Sequence, residues 1–221
     1  MNDLQRNEEW YQARIGHLTA SMAKDLIRYQ KGGITLQTDT KITNLKYRVL
    51  AEQLTGQATE DHFTADARRR MQWGTEQEEH AVNAYEIKTG SIVLMSGFVK
   101  HPSIEFLGAS PDGLVNNDGL IEIKCPETTT HLQRIEADCV PEDIKPQMLL
   151  QLIVTGRKWC DFVDYDPRLP QKLQLFIKRF EPTEEEIKTA LDYFRTFLAE
   201  IETQKTSLLT KQEEIENAVN F

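Results

Sequence analysis

The stretch Gly108-Ala-Ser-Pro-Asp112-Gly-Leu-Val-Asn-Asn-Asp-Gly-Leu-Ile-Glu122-Ile-Lys124-Cys125 constrains the fold of this chain more than any other, because it joins strand and turn signals to charged residues a packed core does not need. From Leu120 to Cys125 the residues alternate, so in a strand Leu120, Glu122 and Lys124 share one face while Ile121, Ile123 and Cys125 share the other. A carboxylate and an ammonium then stand roughly 6.6 Å apart along one face. The cluster Asn116-Asn117-Asp118-Gly119 signals a turn, so a short strand ending near Ala109 and Ser110 is expected to fold back and bring Asp112 against Glu122. Two carboxylates meeting at one point repel each other unless a cation lies between them. Hard oxygen ligands with open positions suit Mg²⁺ or Mn²⁺, and a neighbouring ammonium can orient or deprotonate a metal-bound water.

An isolated Glu-x-Lys triplet is ordinarily the solvated edge of a hairpin. The longer pattern, Pro111-Asp112 followed by Glu122-Ile123-Lys124, resembles the PD-(D/E)xK nuclease superfamily, whose core sets these side chains around a divalent metal. That resemblance implies an α/β fold, a central mixed β-sheet flanked by helices with a restriction-endonuclease-like core.

At 221 residues, with no Gly/Ser/Pro-rich linker, the chain is expected to form a single domain over residues 1–221. No stretch reaches the roughly 18 apolar residues of a membrane span, and the polar start Met1-Asn-Asp-Leu-Gln-Arg6 does not read as a signal peptide, so a soluble cytoplasmic protein with no membrane partner is expected. Cys125, Cys139 and Cys160 show no C-x-x-C spacing and are expected to be reduced and buried, in neither disulfides nor a zinc site. The balance of 26 Lys+Arg against 35 Asp+Glu gives a net charge of −9. Total charge is not the local field, however, and an acidic exterior is compatible with a basic groove. Arg28, Lys31 and the run Arg68-Arg69-Arg70 are the candidates for such a groove, although a triple arginine on a helix is more often a solvated face.

In chain order, Glu8 to Arg14 reads as a short helix with Trp10 inward, and Leu18-Thr19-Ala20-Ser21 leads into a second helix to about Arg28. Thr19 and Ser21 are good helix N-caps; hydroxyls at a helix start with Arg14 nearby are equally a phosphate site. Gly32-Gly33 marks a loop, and Asp39 opens a helix through Leu54 that stops at Gly56. Thr64 to Gln72 reads as one helix and Trp73 to Thr89 as another, carrying Glu76, Glu78, Glu79 and Glu86. Strands follow at Ser91–Met95, Gly97–Lys100, Phe106–Ala109 and Leu120–Cys125, then a helical or irregular excursion from Thr128 to Ala137. Pro141 to Thr155 reads as a helix with Gln147 and Gln151 one turn apart, both compatible with exposure. Trp159–Tyr165 and Leu173–Phe180 read as strands separated by Asp166-Pro167-Arg168. A last helix from Pro182-Thr183 carries an apolar stripe at Ile187, Ala190, Leu191, Phe194, Leu198 and Ile201, and its polar tail from Thr203 is expected to fray.

The order Trp10-Tyr-Gln-Ala-Arg14-Ile-Gly-His-Leu-Thr19-Ala-Ser21, Trp73-Gly74 followed by Glu78, Ser110-Pro-Asp112-Gly, Glu122-Ile-Lys124-Cys-Pro, Gln147 and Tyr165-Asp-Pro-Arg168 is similar to that of the lambda-exonuclease-like, YqaJ-type viral recombinase group. The resemblance runs from about Glu8 to Arg168. It implies a 5′-to-3′ exonuclease on double-stranded DNA ends, producing 3′ single-stranded overhangs, assembled as a homotrimeric ring, working with a single-strand annealing protein and encoded by a phage or prophage. Carried over by motif, Asp112, Glu122 and the carbonyl of Ile123 would hold two Mg²⁺ ions, with Mn²⁺ able to substitute. Glu78 would complete the acidic cluster by orienting a water, with Glu79 beside it as the rival. Lys124 would position the nucleophile, and Gln147 would hold that lysine or the water. Arg14, Thr19, Ser21 and Ser110 would bind a terminal 5′-phosphate, and Met71 would stand where the family presents an apolar wedge to the DNA end. Three other readings share some of these residues: a site-specific or structure-specific endonuclease of the same superfamily, a DNA-binding scaffold without catalysis, and a hydrolase of small phosphoesters.

Overall fold

The alternation at residues 120–125 is realised near the centre of a five-stranded sheet. The computed structural model describes residues 4–59 and 64–219, so residues 1–3, 60–63 and 220–221 of the expected domain, and with them the first residues of the polar start, lie outside the described residues. The elements are α1 (Glu8–Arg14), β1 (Leu18–Thr19), a 3₁₀ turn (Ala20–Met22), α2 (Ala23–Leu26), β2 (Ile27–Gln30), β3 (Gly33–Leu36), α3 (Asp39–Thr55) and α4 (Ala65–Thr89). They continue as β4 (Val93–Leu94), β5 (Val99–Lys100), β6 (Leu107–Ala109), β7 (Gly113–Val115), β8 (Gly119–Lys124), α5 (Thr128–Ala137), α6 (Lys145–Thr155), β9 (Trp159–Tyr165), β10 (Leu175–Phe180) and α7 (Glu184–Val219).

The main sheet has the order β10-β9-β8-β7-β4, with β8 and β9 parallel and the other pairs antiparallel, as expected for a mixed sheet. Its two faces are covered differently. Leu120, Cys160 and Phe162 pack with Met148, Leu152 and Phe194 in one core, on the side of α6 and α7, while Ile121, Ile123 and Val163 pack with Ala81, Val82 and Tyr85 of α4 in a second. The even positions of β8 therefore face α6, and Glu122 is carried into that interior by the same two-residue period that buries Leu120.

The strand that folds back on β8 is Gly113–Val115, in register Gly113 with Ile121, and not the expected strand ending near Ala109 and Ser110. Leu107–Ala109 instead joins β1 and β5 in a separate three-stranded sheet. The chain turns between these sheets at Pro111-Asp112. Gly113 is required there by contact: a Cβ would lie 2.3 Å from Val93 Cγ1 and 3.1 Å from Ile121. The expected turn at Asn116–Gly119 is present; Asn116 has φ 49°, and Arg157 donates to the carbonyls of Val115, Asn116 and Gly119 at 2.7–3.2 Å.

Several elements depart from sequence expectation. The second helix ends at Leu26, and Arg28 lies on a β2–β3 hairpin turning at Gly32-Gly33. The two helices expected at 64–72 and 73–89 are one, capped at Thr64, whose side chain accepts from the Ala67 amide, and ended by Gly90 at φ 70°. Gly74 does not break it, since a single interior glycine costs only ~1 kcal/mol relative to alanine. Helix α6 starts at Lys145, after a turn at Pro141–Ile144, and α7 runs on to Val219 where fraying from Thr203 was expected. Of the cysteines, Cys160 is buried, Cys125 half-buried and Cys139 exposed, so the expectation of three buried thiols holds for one. Among the described residues no helix is long and apolar enough to cross a membrane.

Candidate active site

Glu122 is the most enclosed acid of the site, 1% exposed. Both its oxygens are used: Oε1 accepts from Gln147 Nε2 at 2.7 Å and from Lys124 Nζ, and Oε2 accepts from Gln151 Nε2 at 2.6 Å. The two glutamines are one turn apart on α6, so one helix face delivers both amides to one carboxylate. Gln147 therefore binds the acid, where the sequence pattern suggested the lysine or a water. Gln151 is fully buried, contrary to the exposed reading. It touches the same acid as Gln147, and the sequence signal for it is a pair of amides four residues apart in an otherwise largely apolar helix.

Asp112 approaches from the other side. Strand β7 begins at Gly113, opposite Ile121, so β8 runs past it, and Asp112 Oδ2 accepts from the Ile123 N–H at 2.7 Å. Burial first, and then the neighbouring Glu122 carboxylate, push the Asp112 carboxyl well above the ordinary carboxylate range. Lys124 feels the opposite field. Burial disfavours its ammonium, but Glu122 and Asp112 outweigh that and raise it above its usual value. The ammonium consequently keeps its proton at neutral pH; it can donate a hydrogen bond and supply charge, and it is not a free base.

Hard carboxylate oxygens of this kind are the donor type that suits a divalent cation. The Glu122 carboxylate adds to burial in raising the Asp112 carboxyl, and Ile123 lines the same cavity of about 360 Å³ as Lys124, Glu78 and Met71. Among the described residues no group of three or more His, Cys, Asp or Glu side chains could hold a metal by itself, so the carboxylate pair needs further oxygen donors such as a backbone carbonyl and water. Glu78, on α4, lies on that cavity wall, with both oxygens held by Arg6 at 2.9 and 2.5 Å. Glu78 and Glu79 both line an adjoining cavity with Val82 and Met95, but of the two only Glu78 borders the Lys124 cavity.

The expected phosphate residues also meet. Ser110 Oγ accepts from Trp10 Nε1 at 2.9 Å and from Arg14 Nη1 at 3.1 Å; the Thr19 and Ser21 hydroxyls are 3.2 Å apart. Arg14, Thr19 and Ser21 line one cavity of about 720 Å³. The Arg14 guanidinium stacks over Trp10 at 4.2 Å, and burial pushes its pKa down to about 10 against the pull of Glu52, so it remains a cation. Asn7 caps the short helix that carries Trp10 and Arg14, its side chain accepting from the Trp10 amide at 2.8 Å.

Not every candidate joins the site. Arg28 lines a different cavity with Asp25, Glu142 and Asp143, and Lys31 is exposed beside the hairpin turn; neither borders the cavities of Lys124 or Arg14. Met71, 54% exposed, borders both of those cavities. Arg168 acts as a strut: it donates to Asp166 and to the Pro126 carbonyl, and its guanidinium sits 4.9 Å from the Trp73 ring, tying the helix of Glu78 to the end of β9.

Residues 9–158 match the family described as the YqaJ-like viral recombinase domain. Among solved structures, an alkaline exonuclease (LHK-Exo) from Laribacter hongkongensis is similar at 39% identity and TM-score 0.83, over 95% of this chain and 100% of that one. LHK-Exo in complex with dAMP gives 38% identity and TM-score 0.83 over the same shares, 95% and 100%. A phage related exonuclease from Haemophilus somnus 129PT shares the fold, with 15% identity and TM-score 0.50 over 84% of this chain and 97% of that one. No curated protein matches the sequence.

Proposed function

Because this chain belongs to the YqaJ-like viral recombinase family, we propose that it is a Mg²⁺-dependent exonuclease that removes nucleotides in the 5′-to-3′ direction from one strand of double-stranded DNA ends. The observation that carries this reading is the nearness of two sites: one cavity lined by Lys124, whose ammonium donates to Glu122, and another lined by Arg14, Thr19 and Ser21, with Arg6 and Met71 bordering both. A site-specific endonuclease has no use for a terminal-phosphate pocket beside its acids. The similar alkaline exonuclease was solved with dAMP, a nucleoside monophosphate, which is the kind of product that stepwise removal from a 5′-phosphorylated end releases.

Asp112, Glu122 and the Ile123 carbonyl would hold the metal, two Mg²⁺ ions with Mn²⁺ able to substitute; when bound, it would lower the pKa of a water and neutralise charge on the scissile phosphate. Gln147 and Gln151 fix the Glu122 carboxylate so that it does not reorganise during reaction. Lys124 keeps its proton and places positive charge where negative charge develops. Glu78 orients the attacking water once its carboxylate faces the cavity. Trp10 and Ser110 hold the Arg14 fork toward a terminal phosphate.

The product is a 3′ overhang suited to a single-strand annealing protein, in a phage or prophage recombination system. A homotrimeric ring reconciles a net charge of −9 with retention on DNA, because enclosure depends less on affinity than on topology. Light scattering should then give about three times 25.5 kDa. A monomer that halts at once when competitor DNA is added would remove the ring.

The deciding experiment is digestion of a linear duplex labelled at one 5′ end, with and without a 5′-phosphate, beside a covalently closed circle, in Mg²⁺ and then with EDTA. Loss of the circle, or loss of the linear duplex in EDTA, would contradict the proposal. Arg14→Ala should erase most of the preference for 5′-phosphorylated over 5′-hydroxyl ends, since a charge-assisted contact of this type contributes about 1.5–3 kcal/mol. Equal slowing on both ends would assign Arg14 to the fold through its Trp10 stack.

A further inference from the structure

Arg6 lies N-terminal to the Trp10–Ser21 segment and to every other motif of the site. Its backbone is left-handed, at φ 64°, a conformation uncommon for a residue with a side chain and worth tracing to a cause. The preceding Gln5 is buried, and its amide donates to the Ser96 carbonyl at 2.7 Å and the Pro111 carbonyl at 2.9 Å, pinning this segment against the residue before Asp112. The pin aims the Arg6 side chain at Glu78, which it grips with two hydrogen bonds while remaining 38% exposed. Of the residues that line the Lys124 cavity and the Arg14 cavity, Arg6 and Met71 alone, among the described residues, border both.

Resting on the nuclease reading above, we propose that Arg6 is a substrate contact: its guanidinium binds a DNA-backbone phosphate where the strand crosses from the 5′-end pocket to the catalytic acids, and Glu78 holds that guanidinium in place while DNA is absent. A strand with its terminal phosphate at Arg14 and its next phosphate at Lys124 must pass the wall formed by Arg6 and Met71. Met71 offers no charge. The other arginines of the catalytic cavity are engaged elsewhere, Arg70 with Asp66 and Arg134 with Asp164. The planar fork of arginine suits carboxylate and phosphate equally, so exchanging Glu78 for a phosphate conserves the two-pronged geometry. The exchange also frees the Glu78 carboxylate for the water it is proposed to orient, linking arrival of the strand to completion of the site.

The test is binding of a short 5′-phosphorylated duplex in Ca²⁺, followed by fluorescence anisotropy across a salt series. Arg6→Ala should weaken binding at least about tenfold and flatten the slope of log K against log salt by about 0.9, the signature of one lost phosphate contact. Arg6→Lys should keep most of the slope. Glu78→Gln should tighten binding in the wild-type background and have little effect in the Arg6→Ala background, because the competition it relieves requires the guanidinium. Thermal melting of each variant checks the fold, and if Arg6→Ala is destabilised the Glu78→Gln comparison is made against Arg6→Gln, which likewise has no cation to pair with Glu78. An unchanged salt slope in Arg6→Ala, or equal tightening by Glu78→Gln in both backgrounds, overturns the proposal. Failure of the wild type to bind duplex ends at all removes the nuclease reading as well, which separates the two failures.

Discussion

Lys124→Ala should lower the rate of cleavage of a 5′-phosphorylated duplex by about 10²–10³-fold while leaving end binding in Ca²⁺ near the wild-type value. That is the loss seen when one fixed electrostatic donor is removed from an active site, about 2.7–4 kcal/mol of transition-state stabilisation. The size of the effect follows from what the lysine touches. Its ammonium donates to Glu122 Oε1, the oxygen that also accepts from Gln147, and both it and the Asp112 carboxyl are perturbed by the same cluster. Without it, Glu122 keeps its two glutamine donors and the strand keeps its Ile123 contact to Asp112, so the acids stay in place. Single-turnover rates at saturating enzyme isolate the chemical step. A variant that retains more than about a tenth of the wild-type rate, a loss under ~1.4 kcal/mol, would show that Lys124 has no part in it.

Phe162→Ala should lower the unfolding free energy by about 3–5 kcal/mol and the melting temperature by roughly 10 °C. Phe162 is fully buried on β9, directly across from Glu122 in the parallel pair and from Lys178 in the antiparallel one. Its ring meets Phe176 edge-on at 6.4 Å, with the Arg134 guanidinium 5.5 Å from its centre. The neighbouring strands cannot close over the vacated volume without moving the backbone that holds Glu122, so most of the cavity should persist. Calorimetry checks the figure. A loss below ~1 kcal/mol would mean the sheet collapses around the gap, and Glu122 with it.

The fold was legible wherever the signal was local. Gly56 and Gly90 end α3 and α4 in the left-handed conformation, as glycines after apolar periodic stretches predict. The two-residue period of β8 placed Leu120 and Glu122 on one side and Ile121 and Ile123 on the other, and the sheet keeps that division. Errors arose where local signals were ambiguous. Residues 64–72 and 73–89 read as two helices yet form one, and Gly74 inside it does not break it, because one glycine's propensity cost is small beside the packing of Ala81, Val82 and Tyr85 on the sheet. Arg28 read as the end of a helix and lies on a hairpin. The partner of β8 was misassigned by a few residues, since the segment from Leu107 to Val115 changes sheets at Pro111-Asp112, and that change is visible only in the pairing.

For the candidate site, sequence alone determined which residues are chemically able to act. Asp112, Glu122 and Lys124 were named by type, spacing and resemblance, Arg14, Thr19 and Ser21 by hydroxyls and a cation near a helix start, and Ser110 by the resemblance alone. These depend on neighbours a few residues apart, where chain geometry leaves little freedom. Only the tertiary structure decided which of them converge, and it added Gln151 and Arg6 while leaving Arg28 and Lys31 outside. Gln151 reaches Glu122 across 29 positions and Arg6 reaches Glu78 across 72. Such contacts follow from how helices seat on a sheet and from where a buried glutamine pins the first residues of the chain. They are set by packing summed over the whole core, to which the sequence near either partner contributes only a part.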